Sequence, residues 1–188
     1  MDKNTMRKIG IVSPGAMGIS VAAAMRASGF DVYWASAGRS ANSVARAEAH
    51  GLVDVGTMAN LSAACEAIVS VCPPHTAVFV AEAVLASGFS GVYLDANAIA
   101  PQKVIHMAEQ MAAAGVVFVD GGIIGGPAWQ PNSTWLYLSG EQAALVAEFF
   151  AGGVLETAVI GSQIGQASAL KMCFAAYSKG TTALLSMI

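Results

Sequence analysis

Lys171 sits in a run that is otherwise apolar or small, Ser-Ala-Leu-Lys-Met-Cys-Phe, residues 168 to 174. A primary amine among Leu170, Met172 and Phe174 is partly desolvated. Desolvation favours the neutral amine and brings its pKa toward a range where it can both give and take a proton. Such a group suits general acid–base work at a carbonyl or hydroxyl oxygen. On a helix, Phe174, Ala175 and Ser178 share its face. On the local sequence alone, a lysine that snorkels its head into water is the commoner outcome.

A second place for chemistry is IGIVSPGAMG, residues 9 to 18. A β-branched run stops at Ser13-Pro14-Gly15 and passes into an Ala-rich stretch. This is G-x-G-x-x-G with Ser13 at the first glycine, the turn that holds a dinucleotide's pyrophosphate. Gly15 leaves room for the phosphates, and Gly18 lets helix pack close on strand. The free amides of Gly15, Ala16 and Met17 face an anion at a helix N-terminus. Pro14 is expected to hold Ser13 in extended geometry, continuing the strand.

The cofactor is chosen after the next strand. YWASAGRSANS, residues 33 to 43, contains no carboxylate where an NAD site places one about 20 residues beyond the motif. It offers Arg39 between Ser36 and Ser40. A guanidinium with hydroxyls suits a 2′-phosphate, so NADP is expected over NAD. Val71-Cys72-Pro73-Pro74-His75 ends another strand and should pass beside the nicotinamide ribose. His75 is expected to cap the helix that follows rather than to donate a proton. Gly121-Gly122-Ile123-Ile124-Gly125-Gly126-Pro127 reads as a loop after a strand. Its bare amides would suit a substrate carboxylate or phosphate, and its two isoleucines argue against a sugar phosphate.

These residues need a scaffold that brings strand ends together. Continuous apolar runs at 8–12, 31–34, 67–71, 92–94 and 116–119 predict parallel strands covered on both faces. Further strands are expected at 134–138 and 154–160. Helices are expected at 16–28, 41–50, 61–66, 76–86, 101–114 and 141–150. Strand–helix alternation with glycines at the joints implies βαβ units. The expected fold is α/β, a Rossmann-type doubly wound, mostly parallel sheet over residues 1–162. A long helix follows over 163–188, where the chain is expected to stop before that helix's packing partner.

Composition narrows the function. The 188 residues are 55% hydrophobic and 11% charged, with net charge −3 and mean hydropathy +0.59. A chain so poor in charge implies a large buried interface, expected to be a homodimer's. Without a basic run, nucleic-acid binding by phosphate neutralisation is not expected. Cys65, Cys72 and Cys173 are odd in number, widely spaced and without C-x-x-C, which suits reduced thiols in the cytoplasm. No metal constellation, membrane-spanning run or secretory signal is read, and no G-x-S-x-G occurs.

Four stretches in order resemble the β-hydroxyacid dehydrogenase superfamily, which includes 6-phosphogluconate and 3-hydroxyisobutyrate dehydrogenases. Ser13 to Gly18, with Met17, resembles its G-x-G-x-M-G. Asp95-Ala-Asn-Ala-Ile-Ala-Pro101 resembles its D-x-S-T-x-x-P, with Asn97 for the usual serine. Asp120-Gly-Gly-Ile-Ile-Gly-Gly126 resembles its D-A-P-V-S-G-G substrate loop, with Ile124 for serine. Gly165-Gln-Ala-Ser-Ala-Leu-Lys171 resembles its G-x-G-x-x-x-K helix, with Ala167 for glycine and Ala175 where an asparagine is usual. A less-characterised phosphogluconate-dehydrogenase-like branch, with a C-terminal domain of unknown function, is similar in KMCFAAYSKGTTALL.

The resemblance implies a dehydrogenase moving a hydride between NADP(H) and a small hydroxy acid, keto acid or related carbonyl compound that carries a carboxylate. Lys171 would be its acid–base residue. Asn97 would touch both cofactor and substrate, and Gly122 to Gly126 the substrate. An all-helical C-terminal domain would begin at 163. Two alternatives stand beside it. One is an NADP-binding protein without turnover, given Ile124 and Ala175. The other is an imine reductase, against which Lys171 counts, since those enzymes generally carry Asp or Tyr there.

Overall fold

The structure is a computed structural model and describes residues 7–187. Eight strands form one sheet. They are β1 (Lys8–Val12), β2 (Asp31–Trp34), β3 (Val53–Asp54), β4 (Ala67–Ser70), β5 (Val92–Asp95), β6 (Val117–Gly125), β7 (Thr134–Ser139) and β8 (Glu156–Gly161). The order across the sheet is β3-β2-β1-β4-β5-β6-β7-β8. All neighbours are parallel except β6 and β7. The helices are α1 (Ala16–Ala27), α2 (Ala41–Ala49), α3 (Met58–Ala64), α4 (Ala77–Ala86), α5 (Pro101–Ala113), α6 (Ala143–Ala147) and α7 (Gln166–Leu185). This is the doubly wound α/β fold expected from the sequence, with its carboxyl-end crevice between β1 and β4.

The continuous apolar strands do what their pattern requires. β4 and β5 are buried at every residue. Val69, Leu94 and Val119 face one way, onto Met25, Phe149 and Phe150. Their neighbours Ile68, Tyr93 and Phe118 face the other, onto Leu61, Met107 and Met111. The alternation along each strand thus fills a core on both sides of the sheet.

Three elements differ from the sequence reading. β3 is only two residues long and carries no pattern, so it was not expected. The helix expected at 141–150 is α6 followed by a 3₁₀ turn, Glu148–Phe150. The largest difference is β6, which does not stop at Val119 but runs on through Gly125. Gly121 to Gly125 pair with Leu138 to Thr134 of β7. The expected glycine loop is therefore a strand, and its amides are not all bare. β5 ends opposite Asp120, so beyond that point β6 has a paired strand on one side only. α7 runs unbroken through Gly180. Among the described residues no helix is long and apolar enough to cross a membrane.

Candidate active site

The turn after β1 takes a shape of its own. Ser13 has φ +72°, left-handed and not extended as expected. Proline disfavours but does not forbid this, and the chain must double back here: the Gly15 amide donates to the Ser13 carbonyl at 2.8 Å. Ser13 thereby adopts the backbone that a first glycine would supply. A side-chain carbon on Gly18 would collide with that same carbonyl, whereas one on Gly15 would meet nothing within 4 Å. Gly18 thus serves close packing, and the side of Gly15 is open. The first amides of α1, at Ala16, Met17 and Gly18, have no acceptor within their own helix. An open glycine before a free helix N-terminus fits the pyrophosphate of a dinucleotide.

Two guanidinium groups flank this turn. Arg39 donates to the Ser13 hydroxyl at 3.0 Å. Arg46 on α2, which the sequence reading passed over, donates to the Pro14 carbonyl at 3.1 Å. Of the serines expected beside Arg39, Ser40 caps α2, accepting from the Ser43 amide at 3.3 Å. Ser36 is held by Asp54: its amide donates to that carboxylate at 3.2 Å, and Gly56 adds a second amide at 2.8 Å. Hydrogen bonding, led by the Ser36 side chain, holds Asp54 below its ordinary pKa. Asp54 comes from β3, so its carboxylate is brought to the end of β2 by strand pairing and lies outside the sequence window read for one.

At the carboxyl edge of the sheet a cavity of about 170 Å³ is lined by Met17, Cys72, Pro74, Asn97, Ile123 and Lys171, among others. It brings together six residues that the sequence reading singled out from five separate segments. Asn97 is buried, and its side chain is fully engaged. It accepts from the Cys72 amide at 2.6 Å and donates to Ser70 at 3.1 Å and to Asp95 at 2.9 Å. It therefore fixes the Cys72 backbone more than it offers atoms to a ligand. Burial pushes the Cys72 thiol up from its ordinary pKa, opposed by hydrogen bonds to Thr76 and Ser70. Pro73 and Pro74 lead into a 3₁₀ turn, Pro74–Thr76, before α4. There Thr76 donates to the Pro73 carbonyl at 2.9 Å, and His75 caps nothing.

Lys171 reaches this cavity from α7. Burial lowers its pKa from the ordinary lysine value, and the like charge of Lys179 adds to the effect. The Phe174 ring centroid lies 5.9 Å from its Nζ. α7 can approach because β6 has no side chain at Gly122. An added carbon there would lie 2.8 Å from the Ala167 carbonyl and 3.0 Å from Lys171 Cβ. Gly122 is thus a close-packing residue beneath Lys171. Ile124 shares the face of Gly122 by strand alternation, while Ile123 faces the opposite way into the cavity wall. A side-chain carbon on Gly125 (φ +127°) would collide with Ser133 and Thr134 at the turn into β7, whereas one on Gly126 would meet nothing within 4 Å. Neither Ile124, Gly125 nor Gly126 lines the cavity.

The sequence reading took Asp120 only as the first letter of a glycine motif. It is buried and accepts four hydrogen bonds from β7 and the start of α7. Its neighbour Asp95 has its pKa raised to about 6, chiefly by burial, with the charge of Asp120 adding to it and bonds from Asn97 opposing it. Among the described residues no group of His, Cys, Asp and Glu is placed to hold a metal ion.

Comparison with known proteins agrees with this geometry. Residues 8–150 match the NAD binding domain of 6-phosphogluconate dehydrogenase. No curated protein matches the chain. Among solved structures, a conserved protein of unknown function with structural similarity to 3-hydroxyacid dehydrogenases is 27% identical. Its TM-score is 0.81 over 95% of this chain and 67% of its own. A Mycobacterium tuberculosis 3-hydroxyisobutyrate dehydrogenase, solved with L-serine, is 18% identical, with TM-score 0.76 over 90% of this chain and 59% of its own. An Aspergillus terreus reductive aminase, solved with NADPH4, cyclohexanone and allyl amine, is 22% identical, with TM-score 0.76 over 95% of this chain and 63% of its own. This chain thus spans roughly three fifths to two thirds of each. The last two likenesses concern the fold. With the match over residues 8–150, the chain belongs to the family of the NAD-binding domain of 6-phosphogluconate dehydrogenase.

Proposed function

We propose that this chain carries the cofactor site and the acid–base group of an NADP-dependent oxidoreductase acting on a small hydroxy acid, keto acid or related carbonyl compound. One observation carries the reading. A partly desolvated lysine, Lys171, shares a cavity with Met17 of the dinucleotide turn and with the Cys72–Asn97 wall.

The amides of Ala16 to Gly18 would hold the pyrophosphate, and Arg39 would turn from Ser13 to the 2′-phosphate. Arg46 adds positive charge behind the turn, and Cys72 to Pro74 would flank the nicotinamide ribose. NADP, when bound, supplies or takes up the hydride. The chain's own work is proton transfer and placement. Protonated Lys171 donates to the substrate oxygen as the carbonyl is reduced, and neutral Lys171 takes the proton from the hydroxyl in the other direction. Burial lowers its pKa from the ordinary lysine value, the direction that suits a group asked both to give and to take a proton. Beyond Asp120 the unpaired side of β6, where Ile123 lines the cavity, would be the place for a substrate carboxylate.

A screen of hydroxy acids, keto acids and preformed imines, followed by NADPH absorbance, tests the reading. Turnover of an oxygen substrate that depends on Lys171 is the expected result. Turnover of imines alone would assign the site to imine reduction. NADPH binding without turnover of any class would leave a cofactor-binding protein.

A further inference from the structure

Ser70, Asp95, Asp120 and Ser139 stand side by side across β4, β5, β6 and β7, each the register partner of the next. All four are fully buried. A row of polar side chains through the middle of a sheet is costly unless each is satisfied, and these are satisfied by two different walls of the cavity. Asn97 bonds to Ser70 and Asp95. The start of α7 bonds to Asp120 and Ser139.

That second attachment is dense. Asp120 Oδ2 accepts from the Gly165 amide at 2.9 Å, the Ser168 amide at 3.0 Å and the Ser139 hydroxyl at 3.1 Å. Its Oδ1 accepts from the Ser168 hydroxyl at 2.6 Å. The Ala167 amide donates to Ser139 at 3.1 Å. α7 has no cap of its own, because its N-cap is Gly165. Its orphan amides at Ala167 and Ser168 are satisfied by the sheet, and the positive end of the helix rests on a buried carboxylate. Lys171 is one turn further on, at i+4 from Ala167 and i+3 from Ser168, pressed against Gly122.

We propose that Asp120 is a positioning residue for Lys171. By clamping the first turn of α7 to β6, it fixes the depth and direction at which the amine enters the cavity. The same row holds the Asn97–Cys72 wall, so amine and cofactor wall are referenced to one rigid line. The inference rests on the reading of Lys171 as the acid–base group.

The test compares Asp120→Ala, Asp120→Asn and Ser168→Ala with the unaltered protein. Acetylation of Lys171 by sulfosuccinimidyl acetate is followed by peptide mass spectrometry from pH 7 to 10, with exposed Lys103 as internal reference. NADPH affinity and, where a substrate is found, kcat and KM are measured alongside. The pH midpoint of Lys171 should rise above that in the unaltered protein as the amine leaves its partly buried site. kcat should fall by about tenfold or more with KM little changed, and NADPH binding should hold. Asp120→Asn, which keeps an acceptor, should lie between Asp120→Ala and the unaltered protein. Ser168→Ala removes one bond and should show the same shift in smaller measure, also in the event that Asp120→Ala does not fold. A lower melting temperature with the Lys171 midpoint unmoved in every folded variant would overturn the proposal. Full turnover in Lys171→Ala would instead remove the acid–base reading, and the reactivity shift would separate the two outcomes.

Discussion

Arg39 spends its hydrogen bond on Ser13 and lies beside the turn that would hold two phosphates. If it reads a third phosphate, on the ribose, Arg39→Ala should lose about 1.5–3 kcal/mol of NADPH affinity, the range of a charge-assisted hydrogen bond, and little of NADH affinity. Fluorescence titration with both cofactors checks this, and equal losses would contradict it. Lys171→Ala should lower turnover by about 10²–10⁴ with NADPH affinity nearly unchanged. Lys171→Arg should fail almost as badly, because a guanidinium does not give up its proton near neutral pH. Both arguments start from residue types that stand out in the sequence. Arg46, Asp54 and Asp120 do not stand out, because all but one of the partners described for them (Gly56, beside Asp54) lie 18 to 48 positions away. One signal was available for Asp120. A helix that opens on Gly165 with no Ser, Thr, Asn or Asp to cap it must find its acceptors elsewhere in the chain.

At the level of the element, the buried row across β4 to β7 makes a prediction about pH. The folded protein raises the Asp95 pKa from 3.8 to about 6, so it holds that proton more tightly than the unfolded chain does. The stability this contributes is fully present below about pH 4 and is lost as pH climbs through about 6, amounting to about 3 kcal/mol. Asp54, whose pKa is lowered, contributes in the opposite sense. The clean measurement is therefore a difference. The stability of Asp95→Asn relative to the unaltered protein, from urea unfolding, should improve by up to about 3 kcal/mol between pH 4 and pH 7. A flat difference would show that Asp95 does not carry the slope. The strands of this row were legible as apolar runs, since burial on both faces leaves that mark. Their hydrogen-bond register was not, and neither was the extension of β6. Glycine, isoleucine, isoleucine and glycine suit a loop as well as a strand until β7 is there to pair with them.

At the level of the whole molecule, α7 is half used. Ala167 and Ser168 in its first turn are buried, but Phe174, Tyr177, Leu184 and Leu185, and Met187 just beyond it, are exposed, Tyr177 by 74% and Leu184 by 69%. Apolar surface on this scale rarely stays in contact with water. We expect a second copy of the chain to cover it, as the low charge content suggested. Sedimentation velocity should show a dimer or larger species at micromolar concentration. A monomer that binds no hydrophobic dye would contradict this. The clamp on α7 has a further consequence, for the order in which the protein becomes competent. The dinucleotide turn is completed by β1, β4 and α1, within the first 70 residues. Lys171 comes last, on a helix whose Gly165 amide rests on a carboxylate that β6 contributes 45 positions earlier and whose Ala167 amide rests on a hydroxyl from β7. On the proposed function, synthesis therefore completes the segments that would hold the cofactor well before the residue that would move the proton. A chain that stalls before residue 165 would lack both the proposed acid–base residue and the helix that carries it.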